Sequence, residues 1–348
     1  MISVIGHSMM SNLVNFLATQ RDRFLQGLSV IVFYVILSSG TLFIFGPIIF
    51  YVLYRCCHFI WPLVVAYLTW MYFVDLETYN RGGRRVEFVR NNGFFRYMRD
   101  YYPVSFVKTS ELDPSRNYLF GYHPHGMIPE GLTISFASEA LQFSKTFPGI
   151  VPYIGAHAFM RWSPIFRDIV MALGVVNVHR DSCKFVLTQQ GPGHSVAIVI
   201  GGVCDVLDTC ANSYNITLER RKGFVKLALE TGSHLVPVFG FGQNDVFSRQ
   251  PKIRCLQSYQ TGCSKWKKWA KVFIKGCLLV PFARFCIMPD PRPITVVVGS
   301  AIPVERTENP SAEQINELHS EYVKKLKGLF DKHRDACGVP RDTELVIQ

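Results

Sequence analysis

The sequence predicts an α/β fold: a central, mostly parallel sheet flanked by helices, preceded by an N-terminal transmembrane or re-entrant helical hairpin. Three observations carry this reading. From about residue 80 onward, short β-branched runs alternate with stretches of helical period, which is the order of βα units. Two long apolar runs come before that pattern. The apolar, aromatic strand Tyr118–Tyr122 stops at His123-Pro124-His125-Gly126, so two imidazoles fall where α/β sheets usually carry chemistry.

The apolar runs come first in the chain. Phe24 to Tyr54 holds no charged side chain, and Leu28–Tyr54 would extend roughly 40 Å as a helix, against about 30 Å of bilayer hydrocarbon. Gly46-Pro47 interrupts it and predicts a kink. A second run, Phe59 to Val74, carries Pro62 near its start and ends at Asp75 and Glu77. Only Arg55, Cys56, Cys57 and His58 separate the two, which favours a hairpin. Arg21 and Arg23 precede it and Arg81, Arg84, Arg85 and Arg90 follow it, so both ends are expected in the cytosol. The domains expected are a cytosolic tail over 1–23, a membrane hairpin over 24–76 and a cytosol-facing domain over 77–348. A pair of buried core helices in a soluble protein is the competing reading.

Composition agrees with a membrane-associated enzyme. Hydrophobic residues make up 49% and charged ones 18%, below the ~25% of soluble domains. A net charge of +11 suits an anionic surface or a phosphate-bearing ligand. No recognition helix or RNA-binding signature accompanies it, so nucleic acid is not expected as a partner. The ten cysteines include no Cys-x-x-Cys pair and fit free thiols in a reducing compartment.

Along the domain, strands are expected at Tyr118–Tyr122, Val175–Val178, Val196–Ile200, Leu235–Phe241 and Thr295–Val298. Helices are expected at Leu132–Phe143, Ile165–Leu173, Ser182–Gln190, Gly223–Glu230 and Glu313–His333. Ser311 with Gln314 reads as a capping box for the last of these. The Lys- and Trp-rich stretch within 264–288 fits a helix lying in the bilayer interface, or an ordinary amphipathic surface helix.

The chemistry is expected at the His turn. Pro124 fixes φ between the imidazoles and Gly126 permits close approach. His125 is the expected general base, His123 shapes the site, and Glu130 is positioned to return across the turn and orient His125. A structural histidine bonded to a backbone carbonyl is the plain alternative. A metal would need a third ligand, and no cluster with ligand spacing supplies one, so none is expected. The double-glycine turn Gly201-Gly202, with Asp205 close by, can offer amides to a developing oxyanion, and a turn without function reads equally well. Arg220, Arg221 and Lys222 stand at a helix start, where anions are attracted; a solvated charge run is the alternative.

These residues resemble a known family, the type-two diacylglycerol acyltransferases with their monoacylglycerol and wax-alcohol relatives. The resemblance is carried by Tyr122-His123-Pro124-His125-Gly126, Phe147-Pro148-Gly149-Ile150, Val178-His179-Arg180-Asp181 and Ile200-Gly201-Gly202. It continues through Arg221-Lys222-Gly223-Phe224 and Leu235-Val236-Pro237-Val238 to Leu329-Phe330-Asp331-Lys332-His333. It implies acyl transfer from acyl-CoA, as co-substrate with no further cofactor, to a neutral lipid hydroxyl at the endoplasmic reticulum or lipid droplet. Diacylglycerol is the favoured acceptor and a homo-oligomer is compatible. It also implies acyl-CoA phosphates near Arg220, Arg221 and Lys222. The chain differs from the family's usual pattern at Asp205 and Gln243, where Glu is common, and Glu130 sits in a segment that is usually more neutral. A lysophospholipid acyltransferase would need an arginine for the acceptor phosphate near Gly201-Gly202, and none stands there. A non-catalytic scaffold keeping the fold is the reading from another class.

Overall fold

The computed structural model describes residues 2–37, 51, 55, 60–202, 205, 206, 209–247 and 288–348. The first helix, α1 (Ile2–Leu37), runs unbroken through the boundary expected at residue 23. A second, α2 (Trp61–Thr69), continues into a π-helical turn at Trp70–Val74. Among the described residues no helix is long and apolar enough to cross a membrane. Most of the first apolar run beyond Leu37, and nearly all of 264–288, lie outside them.

Buried charge ties the end of the second apolar run to the domain. Asp75, buried where that run stops, takes both terminal nitrogens of Arg84, at 2.6 and 2.8 Å, and the guanidinium of Arg167. Arg167, fully buried, also caps the helix end by donating to the carbonyls of Met71 at 3.2 Å and Asp75 at 3.0 Å. Carbonyls at a helix terminus lack partners within the helix, and Asp75 O accepts from Thr78 N as well.

The remaining elements form three layers. They are α3 (Gly93–Tyr101), β1 (Val104–Lys108), β2 (Tyr118–His123), α4 (Glu130–Phe136), β3 (Val151–Ala156), α5 (Phe166–Ala172) and β4 (Val175–Asn177). There follow α6 (Arg180–Gln189), β5 (His194–Val199), β6 (Asn215–Ile216), α7 (Gly223–Thr231), β7 (His234–Phe241), β8 (Ile294–Val298), α8 (Ala312–His333) and β9 (Val346–Ile347). The main sheet has the order β1-β8-β7-β2-β5-β3-β4. Strands β7, β2, β5, β3 and β4 are parallel, while β8 runs antiparallel to β7 and carries β1 parallel to itself. Strands β6 and β9 pair separately.

At the centre of this order, every residue of β2 is buried. Its alternation explains the two cores. Tyr118, Phe120 and Tyr122 face α1, α3, α4 and α5, and Leu119 joins the cluster formed with α6, α7 and α8. Gly121 lets α8 settle against the strand: a Cβ there would overlap Tyr322 Oη.

The mostly parallel sheet and the five expected strands are present, with ends shifted by a residue or two. Strands β1 and β3 were not expected, since Pro103 precedes one and Pro152 and Gly155 lie within the other. The expected helix Leu132–Phe143 stops at Phe136. Ser138 Oγ donates to Ile134 O at 2.7 Å and Gln142 enters the left-handed region, which diverts the backbone into a separate turn, Phe143–Thr146. At α8 the capping box is formed in full by Ser311 and Gln314.

Replacing Gly121 by alanine should therefore force α8 off β2. We expect a loss of about 1–3 kcal/mol or more, from overpacking, read as a lowered thermal midpoint of the purified protein. An unchanged midpoint would mean that Tyr322 does not rest on this strand.

Candidate active site

The period of two in β2 sends Tyr122 and His123 to opposite faces of the sheet. His123 is fully buried and its Nε2 lies 3.0 Å from Tyr322 Oη. Tyr322 Oη donates to Gly121 O at 3.1 Å, so its oxygen is left to accept from the imidazole. Nε2 therefore carries the proton and Nδ1 the lone pair, with no partner for Nδ1 among the described residues. Burial lowers the His123 pKa to about 3 and keeps the ring neutral.

The chain then turns through a cis His123–Pro124 peptide, and Gly126 takes φ +64°. Between them His125 is half-buried at the carboxyl end of β2. Its Nδ1 lies 3.1 Å from Gly126 O. A carbonyl can only accept, so Nδ1 holds the proton and Nε2 the free lone pair. Desolvation pulls the His125 pKa down to about 4, opposed by that backbone hydrogen bond. At neutral pH this is an uncharged imidazole with one basic nitrogen.

Glu130 opens α4 and is fully buried. Tyr34 of α1 donates its hydroxyl to Oε1, and Gln243 Nε2 donates to Oε2 at 2.6 Å. Gln243 is the hub of this face: its Oε1 accepts from Tyr122 Oη at 3.1 Å and from Gly131 N at 3.0 Å. Desolvation raises the Glu130 pKa to about 7, while Tyr34, the residue's own backbone and Gln243 hold it down.

The expected His125–Glu130 dyad is thus not formed. The carboxylate is buried, so it must be met by donors at hand, and Tyr34 and Gln243 meet it; the Nδ1–H of His125 turns to a carbonyl instead. Sequence reasoning passed over Tyr34, which sits in an apolar run, and Tyr322, which reads as one more member of the α8 stripe. Gln243 was noticed only as a departure in a strand-end turn.

The other expected residues lie along the same sheet edge. Gly201 and Gly202 follow the end of β5, with Gly202 at φ +58°. The Asp205 carboxylate packs directly on Gly201, where a Cβ would overlap it, and its Oδ1 accepts from Thr217 N at 2.8 Å. That bond brings the strand of chain leading to Arg220, Arg221 and Lys222 beside the double-glycine turn. Arg220 and Arg221 are exposed, and Lys222 occupies the N-cap position of α7 while its Nζ donates to Asn316 Oδ1 of α8 at 2.6 Å. Among the described residues no group of three His, Cys, Asp or Glu side chains is placed to hold a metal ion.

Because the Glu130 pKa is raised from 4.5 to about 7, the folded protein binds that proton more tightly than the unfolded chain does. The stability it contributes is therefore full below pH 4.5 and is lost as pH rises through 7. Glu130→Gln keeps the shape without the charge. It should gain up to ~3 kcal/mol over the parent at pH 8 and lose most of that gain at pH 5, read by thermal unfolding at the two pH values. An equal effect at both would show that the carboxylate is not charged in the core.

Comparison with known proteins identifies the family. Residues 51–348 match the family model described as diacylglycerol acyltransferase. The chain is 40% identical over 299 residues to human 2-acylglycerol O-acyltransferase 3, covering 83% of this chain and 85% of the relative. It is 38% identical over 305 residues to bovine 2-acylglycerol O-acyltransferase 1, covering 87% and 89%. Human diacylglycerol O-acyltransferase 2 is 38% identical over 296 residues, covering 84% and 76%. No solved structure matches the chain significantly. With the His turn at the carboxyl end of a mostly parallel sheet and a family match over most of its length, the chain belongs to the diacylglycerol acyltransferase family.

Proposed function

We propose that the chain is an acyl-CoA-dependent O-acyltransferase that esterifies a neutral glycerolipid hydroxyl, converting diacylglycerol to triacylglycerol. The observation that carries the mechanism is the state of His125: neutral, half-buried at the end of the central strand, with Nδ1 held by Gly126 O and Nε2 free. Nε2 takes the proton of the acceptor hydroxyl as its oxygen attacks the thioester carbonyl. The C–O bond forms, the C–S bond breaks, and the imidazolium returns the proton to the departing thiolate of CoA. The thioester brings its own leaving group, so the scheme needs no further cofactor.

His123 acts through position. Its Nε2–H is held by Tyr322, and it fixes the strand end from which His125 projects. The Asp205 carboxylate against Gly201 disfavours a second negative charge at the double-glycine turn, which leaves the amide of Gly126 as the better oxyanion donor. Glu130 supports the turn through Gln243 rather than through the base itself. Arg220 and Arg221 add positive field at this edge and attract the anionic co-substrate.

The same proposal places the chain in the endoplasmic reticulum membrane, with lipid droplets a further site, and the domain on the cytosolic side. Its support is the pair of apolar runs and the apolar side chains turned outward from α1 and the second run, including Phe24, Leu63 and Phe73, the last 85% exposed. A second acceptor, 2-monoacylglycerol, is favoured by one specific observation: relatives at 40% and 38% identity carry the name 2-acylglycerol O-acyltransferase.

The test is radiolabelled acyl-CoA transfer by microsomes containing the chain, with diacylglycerol, 2-monoacylglycerol, a long-chain alcohol and lysophosphatidic acid offered separately. Triacylglycerol should dominate, and His125→Ala should lower its formation by about 10²–10⁴ without changing membrane-bound protein. Dominant diacylglycerol from the monoacyl acceptor would move the acceptor assignment. Full activity in His125→Ala, or no transfer to any acceptor, would overturn the mechanism.

A further inference from the structure

A second concavity opens along the same sheet edge, away from the His turn. The ends of β3 and β4, the start of α6 and the segment after the second apolar run enclose a cleft of about 610 Å³. Two of its buried polar groups lack partners that a folded domain normally supplies. Ser182, in the first turn of α6, is only 3% exposed, yet its Oγ has no hydrogen-bond partner. Arg161 is stacked on Trp162 at 4.8 Å, and its buried Nε is likewise unpartnered. Arg81 stands exposed at the rim, available to a ligand. In addition, the N-cap position of α6 offers no side-chain cap to the helix's first amides.

Unmet donors and cations at a helix N-terminus describe an anion seat. The two carboxylates that also line the cleft are held by side chains beside them. Asp181 lies against Arg180 at 3.2 Å and His179 at 3.7 Å, while Glu77 accepts from Asn80 at 2.8 Å and reaches Arg161 only at 4.0 Å. The volume is far beyond a bare phosphate, and falls in the range of small-molecule sites, about 300–1,000 Å³. The Phe185 ring adds an aromatic surface of the kind a purine ring uses. From β2 to β3 and β4 is two to three strand steps of about 4.8 Å, roughly 10–14 Å along the edge. An extended pantetheine arm covers that distance.

We propose that this cleft seats the phosphorylated adenosine end of acyl-CoA, with Arg81, Arg161, Ser182 and the first turn of α6 holding the phosphate monoester. The thioester then lies along the edge at His125. The inference rests on the acyl-transfer reading for its ligand, and its test has a readout that does not. Purified full-length protein in detergent is given radiolabelled adenosine 3′,5′-bisphosphate, alongside vesicles containing phosphatidic acid. Binding of the bisphosphate should weaken about tenfold or more in Arg81→Ala, Arg161→Ala and Ser182→Val, the scale expected for charge-assisted contacts to phosphate. In the transfer assay the same variants should raise KM for acyl-CoA by a similar factor, leave kcat within about twofold, and leave KM for acyl-dephospho-CoA unchanged. Arg81 is exposed, so its variant tests the site even if the change at Arg161 disturbs packing. Bisphosphate binding that survives all three changes overturns the proposal while normal acyl transfer stands. Variant-sensitive binding with no acyl transfer upholds the site and removes the reaction. Variant-sensitive capture of phosphatidic acid vesicles without bisphosphate binding overturns the nucleotide assignment in favour of a lipid headgroup.

Discussion

One buried carboxylate constrains most of this structure. An ion taken out of water must be met by donors, because the cost of leaving it alone exceeds what a domain's whole stability can absorb. The donors that meet Glu130 come from distant parts of the chain: Tyr34 from the N-terminal helix and Gln243 from the turn after β7. Gln243 also bonds Tyr122 and the backbone of Ile128 and Gly131. Satisfying a single charge therefore fixes α1 against the sheet, the exit of β7, and the turn that follows the histidines. The family pattern commonly has Glu where Gln243 stands. Here a carboxylate at that position would face Glu130 at hydrogen-bonding distance, where two like charges cannot both be ionised. An amide is the residue that accepts on one side and donates on the other.

The two imidazoles of the turn divide their tasks by burial and by tautomer. His123 points into the face covered by α8, and Tyr322 fixes its proton on Nε2. His125, past the proline, escapes both packed faces and has its proton fixed on Nδ1 by a carbonyl. Desolvation keeps both neutral, and a neutral ring is the form that can take a proton. Only at His125 is the lone pair on a half-buried ring at the sheet edge, so the positions two residues apart are not interchangeable.

Much of the fold was legible because it follows from local pattern. Strand β2 announces itself by an aromatic run ending in Pro and Gly, and α8 by its capping box and apolar stripe. What the sequence hid were the elements that break local rules, such as β3 with Pro152 and Gly155 inside it, and the contacts that span the chain. The spacing of His125 and Glu130 suggested a dyad because spacing measures reach. Whether that reach is used depends on which other donors converge on the carboxylate, and those sit 96 and 113 residues away from it in the chain. The pairing of the fully buried Arg167 with Asp75 is hidden for the same reason, since charge in a sequence reads as surface until its partner is found.

The same long-range contacts set how two unlike substrates would meet. Helix α1 buries Val30 and Tyr34 against the domain while Phe24, Leu28 and Val32 face outward. The segment proposed to enter the bilayer is therefore bonded, through Tyr34, to the carboxylate beneath the catalytic turn. On the proposed function, a lipid hydroxyl arriving along that helix would reach the sheet on the face of Tyr122. The cleft at β3 and β4 lies two to three strands away along the edge, on the path proposed for the charged thioester. His125 stands where these two routes join. A base at a strand end can serve a partition of this kind because the strand's two faces stay separate up to its last residue, and the turn that follows is open to both.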